Sequence, residues 1–199
     1  MKTRLEQLLE LARAKGIVRS ADLAEAGLSR QYLSIACRQG LLERIGRGLY
    51  RLPGAVLNEH QSLIEVCAAV PTGVICLLSA LRFHEMTTQA PFEVHLAIAP
   101  SAWSPRHKGV QIRLYRFSGP ALTEGIRQHT IEGAAIRVYD PAKTVADCFK
   151  FRNKIGLDVA IEALRDCLRQ RKATVDDLVR YGRVCRVDRV MAPYMEAML

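Results

Sequence analysis

Arg30, Gln31, Ser34 and Arg38 carry the most legible chemistry in this chain. Side chains of these types bind the edges of DNA: a guanidinium pairs with guanine, a carboxamide with adenine, a hydroxyl with either. Arg30, Ser34 and Arg38 recur every four residues, so on a helix they form one stripe. Directly after them comes Leu41-Leu42-Glu43-Arg44-Ile45-Gly46-Arg47-Gly48-Leu49-Tyr50-Arg51-Leu52-Pro53-Gly54, which has the form of a hairpin with Gly46-Arg47-Gly48 at its tip. Leu41, Ile45, Leu49 and Tyr50 supply its apolar side; Arg44, Arg47 and Arg51 supply charge. Arg47 at the tip is placed to reach phosphate or an adjacent minor groove. A helix that can enter a major groove, with a charged hairpin beside it, is the layout of a winged helix-turn-helix, and its partner is double-stranded DNA.

The elements that must position these groups follow from periodicity. Leu5, Leu8, Leu9 and Ala12 recur at helical spacing, so a first helix is expected over 2–15, stopped by Gly16. Ile17-Val18 makes a short extended link. Ser20, as N-cap, and Asp22 open a second helix with Leu23 and Ala24 inward, ended by Gly27. Ser29 is the natural N-cap of the third helix, 29–39, whose core face is Leu33, Ala36, Cys37 and Gly40. The expected DNA-contacting set is Arg19, Ser20, Ser29, Arg30, Gln31, Tyr32, Ser34, Arg38, Arg44, Arg47 and Arg51. Arg30 and Gln31, at the N-terminal end of the recognition helix, are the base readers. Tyr32 and Arg38 belong to backbone contacts or edge packing.

Charge agrees with this placement. The chain has a net charge of +9, and residues 1–54 hold ten Lys and Arg against five Asp and Glu. A basic balance concentrated in a small N-terminal unit is the footprint of a DNA-binding head. No apolar run reaches the roughly 18–20 residues of a membrane span, and the N-terminus has charges where a signal peptide has its apolar stretch. The chain therefore reads as cytoplasmic. Cys37, Cys67, Cys76, Cys148, Cys167 and Cys185 lie far apart without a CxxC pair, as for reduced and mostly buried thiols. No Cys/His spacing offers a zinc chelate, and neither a metal nor a cofactor is expected.

Enzyme motifs are missing. There is no P-loop, no GxGxxG and no GxSxG, and His84-Glu85 lacks the second spaced histidine of a zinc protease. Asp140 and Lys143 would need an acid-x-lysine pair on a strand to form a nuclease site. Instead Lys143, Asp147 and Lys150 share one helix face, with Lys143 and Asp147 suited to an ion pair.

Pro53-Gly54 marks the expected boundary between a domain at 1–54 and a second at 55–199. In the second, helices are expected at 58–70 and from Ser79, as cap, through about 86. Val74–Leu78 reads as a short strand or as the start of that helix. Strands are expected at 92–98, 110–117 and 135–139. Helices follow at 141–151, 157–170, 174–182 and 188 to the end, with Asp140-Pro141 as N-cap and first residue. The fold class is α+β: a winged helix-turn-helix, then a mixed domain with a small sheet and C-terminal helices. Trp103, with Arg106, His107 and Lys108, reads as a core-anchored loop or as a nucleic-acid or partner contact. Lys150, Arg152, Lys154, Arg165, Arg169 and Arg171 read as solvated helix faces or as an RNA contact of this domain.

This order of elements resembles the AbiEi-type antitoxins, transcriptional regulators of type IV toxin–antitoxin systems. The resemblance is carried by Val18-Arg19-Ser20-Ala21-Asp22-Leu23, Gly27-Leu28-Ser29-Arg30, Gly40-Leu41-Leu42 and Gly46-Arg47-Gly48-Leu49-Tyr50. Val138 through Cys148 adds the passage from the last strand into the C-terminal helices. It implies a winged-helix repressor of its own operon at inverted repeats and a place in phage defence. It also implies a second domain that neutralises a nucleotidyltransferase-like toxin without a stable complex. Two other readings stay open: a winged-helix regulator whose second domain senses a small ligand, and an enzyme or RNA-acting protein with an accessory winged helix.

Overall fold

Thr3 begins the first helix with a capping box: its hydroxyl accepts from the Glu6 N–H while the Glu6 carboxylate accepts from the Thr3 N–H. This fixes α1 at Arg4–Lys15, and Gly16, with φ of 67°, ends it. The computed structural model describes residues 2–54, 60–104, 109–131 and 133–198. These fall into two compact units. The first takes its residues from Met1–Thr72, Pro105–Gln111 and Gln128–Ile136, and the second from Gly73–Ser104, Ile112–Arg127 and Arg137–Leu199.

In the first unit, β1 (Ile17–Arg19), α2 (Asp22–Glu25), α3 (Gln31–Arg38), β2 (Glu43–Gly46), β3 (Leu49–Arg51) and α4 (Gln61–Ala69) follow α1. The three strands form an antiparallel sheet in the order β1-β3-β2. Leu8, Ala12, Val18, Leu23, Leu28, Leu33, Ala36 and Leu42 make its core. The expected helix at 58–70 is α4, and its residues 58 and 59 lie outside the described set.

The second sheet has five strands in the order β6-β5-β4-β8-β7: β4 (Val74–Ile75), β5 (Glu93–Ile98), β6 (Gln111–Arg116), β7 (Ile126–Ile131) and β8 (Ala134–Tyr139). β4 pairs antiparallel with β5 and parallel with β8. Helices α5 (Leu77–Phe83), α6 (Pro120–Thr123), α7 (Pro141–Lys150), α8 (Arg152–Ile155), α9 (Leu157–Arg169), α10 (Val175–Cys185) and α11 (Asp188–Glu196) complete the chain. Helix α7 is the centre of the second unit. Asp140 caps it by accepting from the Lys143 N–H at 2.8 Å, and every residue from Ala142 to Phe149 is buried. Such all-round burial marks a helix enclosed by its neighbours rather than lying on a surface; α5, α9, α10 and α11 pack on it. Among the described residues, no helix is long and apolar enough to cross a membrane.

Several sequence expectations need correction. Ser79 does not cap α5. It is a buried residue of that helix, and its hydroxyl accepts from the His95 N–H at 2.9 Å. Strand β7, at one edge of the sheet, was not among the expected strands, and its adjacent Arg127 and Gln128, with Thr130, are exposed; its pairing is tertiary in origin. No disulfide joins any of the six cysteines, and only Cys37 is not buried. Burial pushes the Cys167 thiol up to about 11 and raises those of Cys76, Cys148 and Cys185 well above the ordinary thiol range, which favours the neutral, less nucleophilic form.

His95 on β5 is 1% exposed, with its Nδ1 unpartnered among the described residues. Burial lowers its pKa to about 4, with Arg113 adding to the shift and Glu93 opposing it. The folded pKa lies below the unfolded value of about 6.5. The unfolded chain therefore takes up this proton first, and stability is lost as pH falls from 6.5 towards 4, by about 1 kcal/mol per pH unit. Asp147 acts oppositely. Burial raises its pKa to about 6, against the pull of Lys143, so acid relieves a cost between 6 and about 4. Relative to wild type, the H95Q variant is expected to gain stability in urea melts as pH falls from 6.5 to 4, since it lacks the acid-destabilising contribution of His95. An unchanged slope would show that His95 titrates alike in both states.

Candidate nucleic-acid interface

Helix α3 buries Leu33 and Ala36 and leaves Gln31, Ser34 and Arg38 exposed, with Arg30 and Ser29 exposed just before it. The stripe from Arg30 to Arg38 spans eight residues, about 12 Å at 1.5 Å per residue, which is comparable with the width of a major groove. None of the ion pairs among the described residues uses Arg30, Arg38, Arg44 or Arg47.

Local geometry departs from the expected caps. Ser29 is not the N-cap: Arg30 occupies that position with helical dihedrals, and the Ser29 hydroxyl is 3.5 Å from the Gln31 N–H. The first turn is tightened instead, Tyr32 and Leu33 donating to the carbonyls three residues back, of Ser29 and Arg30. Gly40 is exposed rather than part of the core stripe, and Cys37 is half-buried. Ser20 does not cap α2 either. Its N–H donates to the Gly48 carbonyl at 2.9 Å, which ties the base of α2 to the hairpin. In α2 the inward residues are Asp22 and Leu23, and Ala24 is exposed.

Asp22 explains why Arg19 faces its own chain. Its carboxylate, 2% exposed, accepts from the Arg19 backbone N–H at 2.7 Å and from the guanidinium at 2.7 and 3.1 Å, with the Lys15 ammonium at 3.0 Å. Burial works to raise the Asp22 pKa, but the hydrogen bonds from Arg19 and Lys15 outweigh it and hold the group below its ordinary value. Arg51 is similarly engaged. It faces Glu43 across the β2–β3 pairing, donates to that carboxylate, and lies 3.7 Å from Glu65 on α4. Tyr32 is half-buried against the core.

The sequence-expected set thus divides in two. Ser29, Arg30, Gln31, Ser34, Arg38, Arg44 and Arg47 are exposed, whereas Arg19, Ser20, Tyr32 and Arg51 are tied into the scaffold. Asp22 and Glu43, the anchors of two of these arginines, were not in the expected set. The i,i+3 spacing of Arg19 and Asp22 was the available signal for the first.

Hairpin β2–β3 turns at Arg47-Gly48, and a bulge between Arg44 and Gly46 shifts its register. The Arg44 Nε donates to the Gly46 carbonyl at 3.0 Å, bracing the bend. Gly48 has φ of 73°, and a Cβ there would sit 3.2 Å from the Ser20 hydroxyl. The G48A substitution is expected to cost about 1–2 kcal/mol in chemical denaturation, since an L-residue is strained in this left-handed conformation. A neutral effect would mean that the turn can rearrange freely.

In the second unit, Trp103 is 80% exposed. Its loop is held by Arg116, whose guanidinium donates to the carbonyls of Ala99, Pro100 and Ala102 and to the Ser104 hydroxyl. Arg106, His107 and Lys108 lie outside the described residues. Lys150, Lys154, Arg165, Arg169 and Arg171 are exposed, while Arg152 is half-buried and donates to the Phe149 carbonyl. Among the described residues, no group of His, Cys, Asp and Glu could hold a metal ion.

The fold is similar to that of the RV2827C protein from Mycobacterium tuberculosis, known from a crystal structure. The TM-score is 0.57 over 91% of this chain and 71% of that one, at 14% sequence identity. At this identity the likeness shows the fold alone. No curated protein matches the chain. Residues 6–53, the segment that holds the exposed helix and the hairpin, match the family model described as transcriptional regulator, AbiEi antitoxin.

Proposed function

We propose that this protein is a DNA-binding transcriptional repressor of its own operon and the antitoxin of a type IV pair. The observation that carries the reading is the exposed row Arg30, Gln31, Ser34 and Arg38, beside the Arg47 turn, within the segment that matches the regulator family. Arg30 and Gln31 read base edges at an inverted-repeat operator, and Arg38, Arg44 and Arg47 hold phosphates. Two half-sites are read by a dimer or by two monomers. The second unit neutralises a nucleotidyltransferase-like toxin without forming a stable complex with it.

A gel-shift titration against the DNA just upstream of the gene, with scrambled competitor at moderate salt, tests the repressor half. Retardation that survives competitor is expected; binding removed by competitor would overturn specific repression. Co-expression with a nucleotidyltransferase-like toxin encoded beside the gene tests the other half. Growth should be rescued, without co-purification of the two proteins. Growth arrest despite expression would refute the antitoxin role.

A further inference from the structure

The second unit contains a cavity of about 290 Å³, formed where β6 runs into the 117–121 segment and where α7 and α10 end. That size is at the lower limit of small-molecule sites. Its deep part is already neutral. The Asp147 carboxylate takes the Lys143 ammonium on both oxygens at 2.7 Å and the Cys185 thiol at 3.3 Å. Arg116 also lines the cavity, and its guanidinium donates to the Ala99–Ser104 loop.

Two cations remain at the rim. Lys150 and Arg186 are exposed, line the cavity, and enter no ion pair among the described residues. The carbonyl ends of α7 and α10 offset part of this charge, by about half a unit each, which leaves the rim net positive. Apolar walls come from Phe151 and Val184, and Ser118 adds a hydroxyl.

Arg186 is also conformationally unusual. It holds φ of 58° and ψ of 46° at the C-cap of α10, a left-handed position that glycine normally fills. This conformation, shared with Leu77, Glu85 and Arg171, puts a long cation where glycine would sit without strain.

We propose that this cavity binds a small organic phosphate monoester, its charged head held by Lys150 and Arg186 and its apolar part against Phe151 and Val184. A second-domain ligand of this kind would make the protein a regulator that senses a metabolite, independently of how its first unit reads DNA.

Phenyl phosphate is the probe, titrated calorimetrically into the full-length protein, with inorganic phosphate, benzoate and phenol as controls. One saturable site for phenyl phosphate is expected. Loss of a charge-assisted hydrogen bond should weaken it about tenfold in K150Q and again in R186G. R186G should keep or raise the melting temperature, because glycine relieves the left-handed backbone; a cation that merely complements the helix end would instead lower it on removal. Affinity should be unchanged in the R30A/R47A double variant, and R186G should shift DNA as wild type does. The proposal is overturned by no saturable binding, by equal binding of benzoate, or by wild-type affinity in both K150Q and R186G. A loss confined to R30A/R47A would place the anion on the winged helix instead. Failure of DNA binding with intact phenyl phosphate binding would sink the repressor reading and leave this site standing.

Discussion

The D147A variant is expected to lose about 3–5 kcal/mol of stability, the cost of leaving one charge of a buried ion pair alone. Lys143 is 0% exposed. Its ammonium has the Asp147 oxygens at 2.7 Å and lies 4.1 Å from the Tyr139 ring and 4.9 Å from the Phe117 ring. The aromatic faces attract the cation but cannot replace its counter-ion. A loss of this size is a large fraction of the roughly 5–15 kcal/mol that holds a typical domain together. The mirror variant K143M should cost less, because the remaining carboxyl can take up a proton at a pKa already raised to about 6. Urea unfolding followed by circular dichroism distinguishes the two. Equal and small losses below about 1 kcal/mol would mean that the pair is reached by water. The double variant K143M/D147L should recover most of the loss, since buried pairs are often replaceable by packed apolar groups.

Alanine at Arg30 or Gln31 is expected to cost about 1–3 kcal/mol in operator binding and to relax base preference at one position. Both side chains are exposed at the start of α3, so their removal leaves the core intact and the loss should be in binding alone. Arg47 makes the contrast. On the hairpin turn it can reach phosphate, so R47A should weaken binding on every sequence and lower the salt slope by about one. Arg51 is held by Glu43 and Glu65, so R51A should act through loosening of the hairpin and should appear in the unfolding curve. Fluorescence anisotropy on operator and scrambled duplexes at several salt concentrations separates these outcomes. Equal losses on both duplexes for R30A would refute its role in reading bases.

Much of the first unit was legible because its signals are local. Helix spacing in α1, the Gly46-Arg47-Gly48 hairpin tip and the four-residue repeat of Arg30, Ser34 and Arg38 depend on neighbours in sequence. Exposure of that stripe could be read from the opposing positions Leu33 and Ala36. What each arginine touches could not. Arg19 and Arg30 have the same chemistry in sequence, but only Arg19 has a buried carboxylate beside it.

In the five-stranded sheet, β5, β6 and β8 were legible by alternation, whereas β7 was not: its adjacent Arg127 and Gln128 are both exposed, so its pairing rests on its partner rather than on its own pattern. The i,i+4 spacing of Lys143 and Asp147 predicted their pairing. Its depth came from α5, α9, α10 and α11 closing around α7, a matter of long-range packing. The cavity has the same origin. Phe117, Lys150 and Arg186 are distant in sequence and share one wall only when the strand end and two helix ends meet. Sequence alone determined the elements, their faces and the concentration of cations near the N-terminus, because periodicity and charge are properties of neighbouring residues. Tertiary structure decided which cations are free, which charges are buried and where a cavity opens, because solvent exposure depends on the packing of segments far apart in the chain.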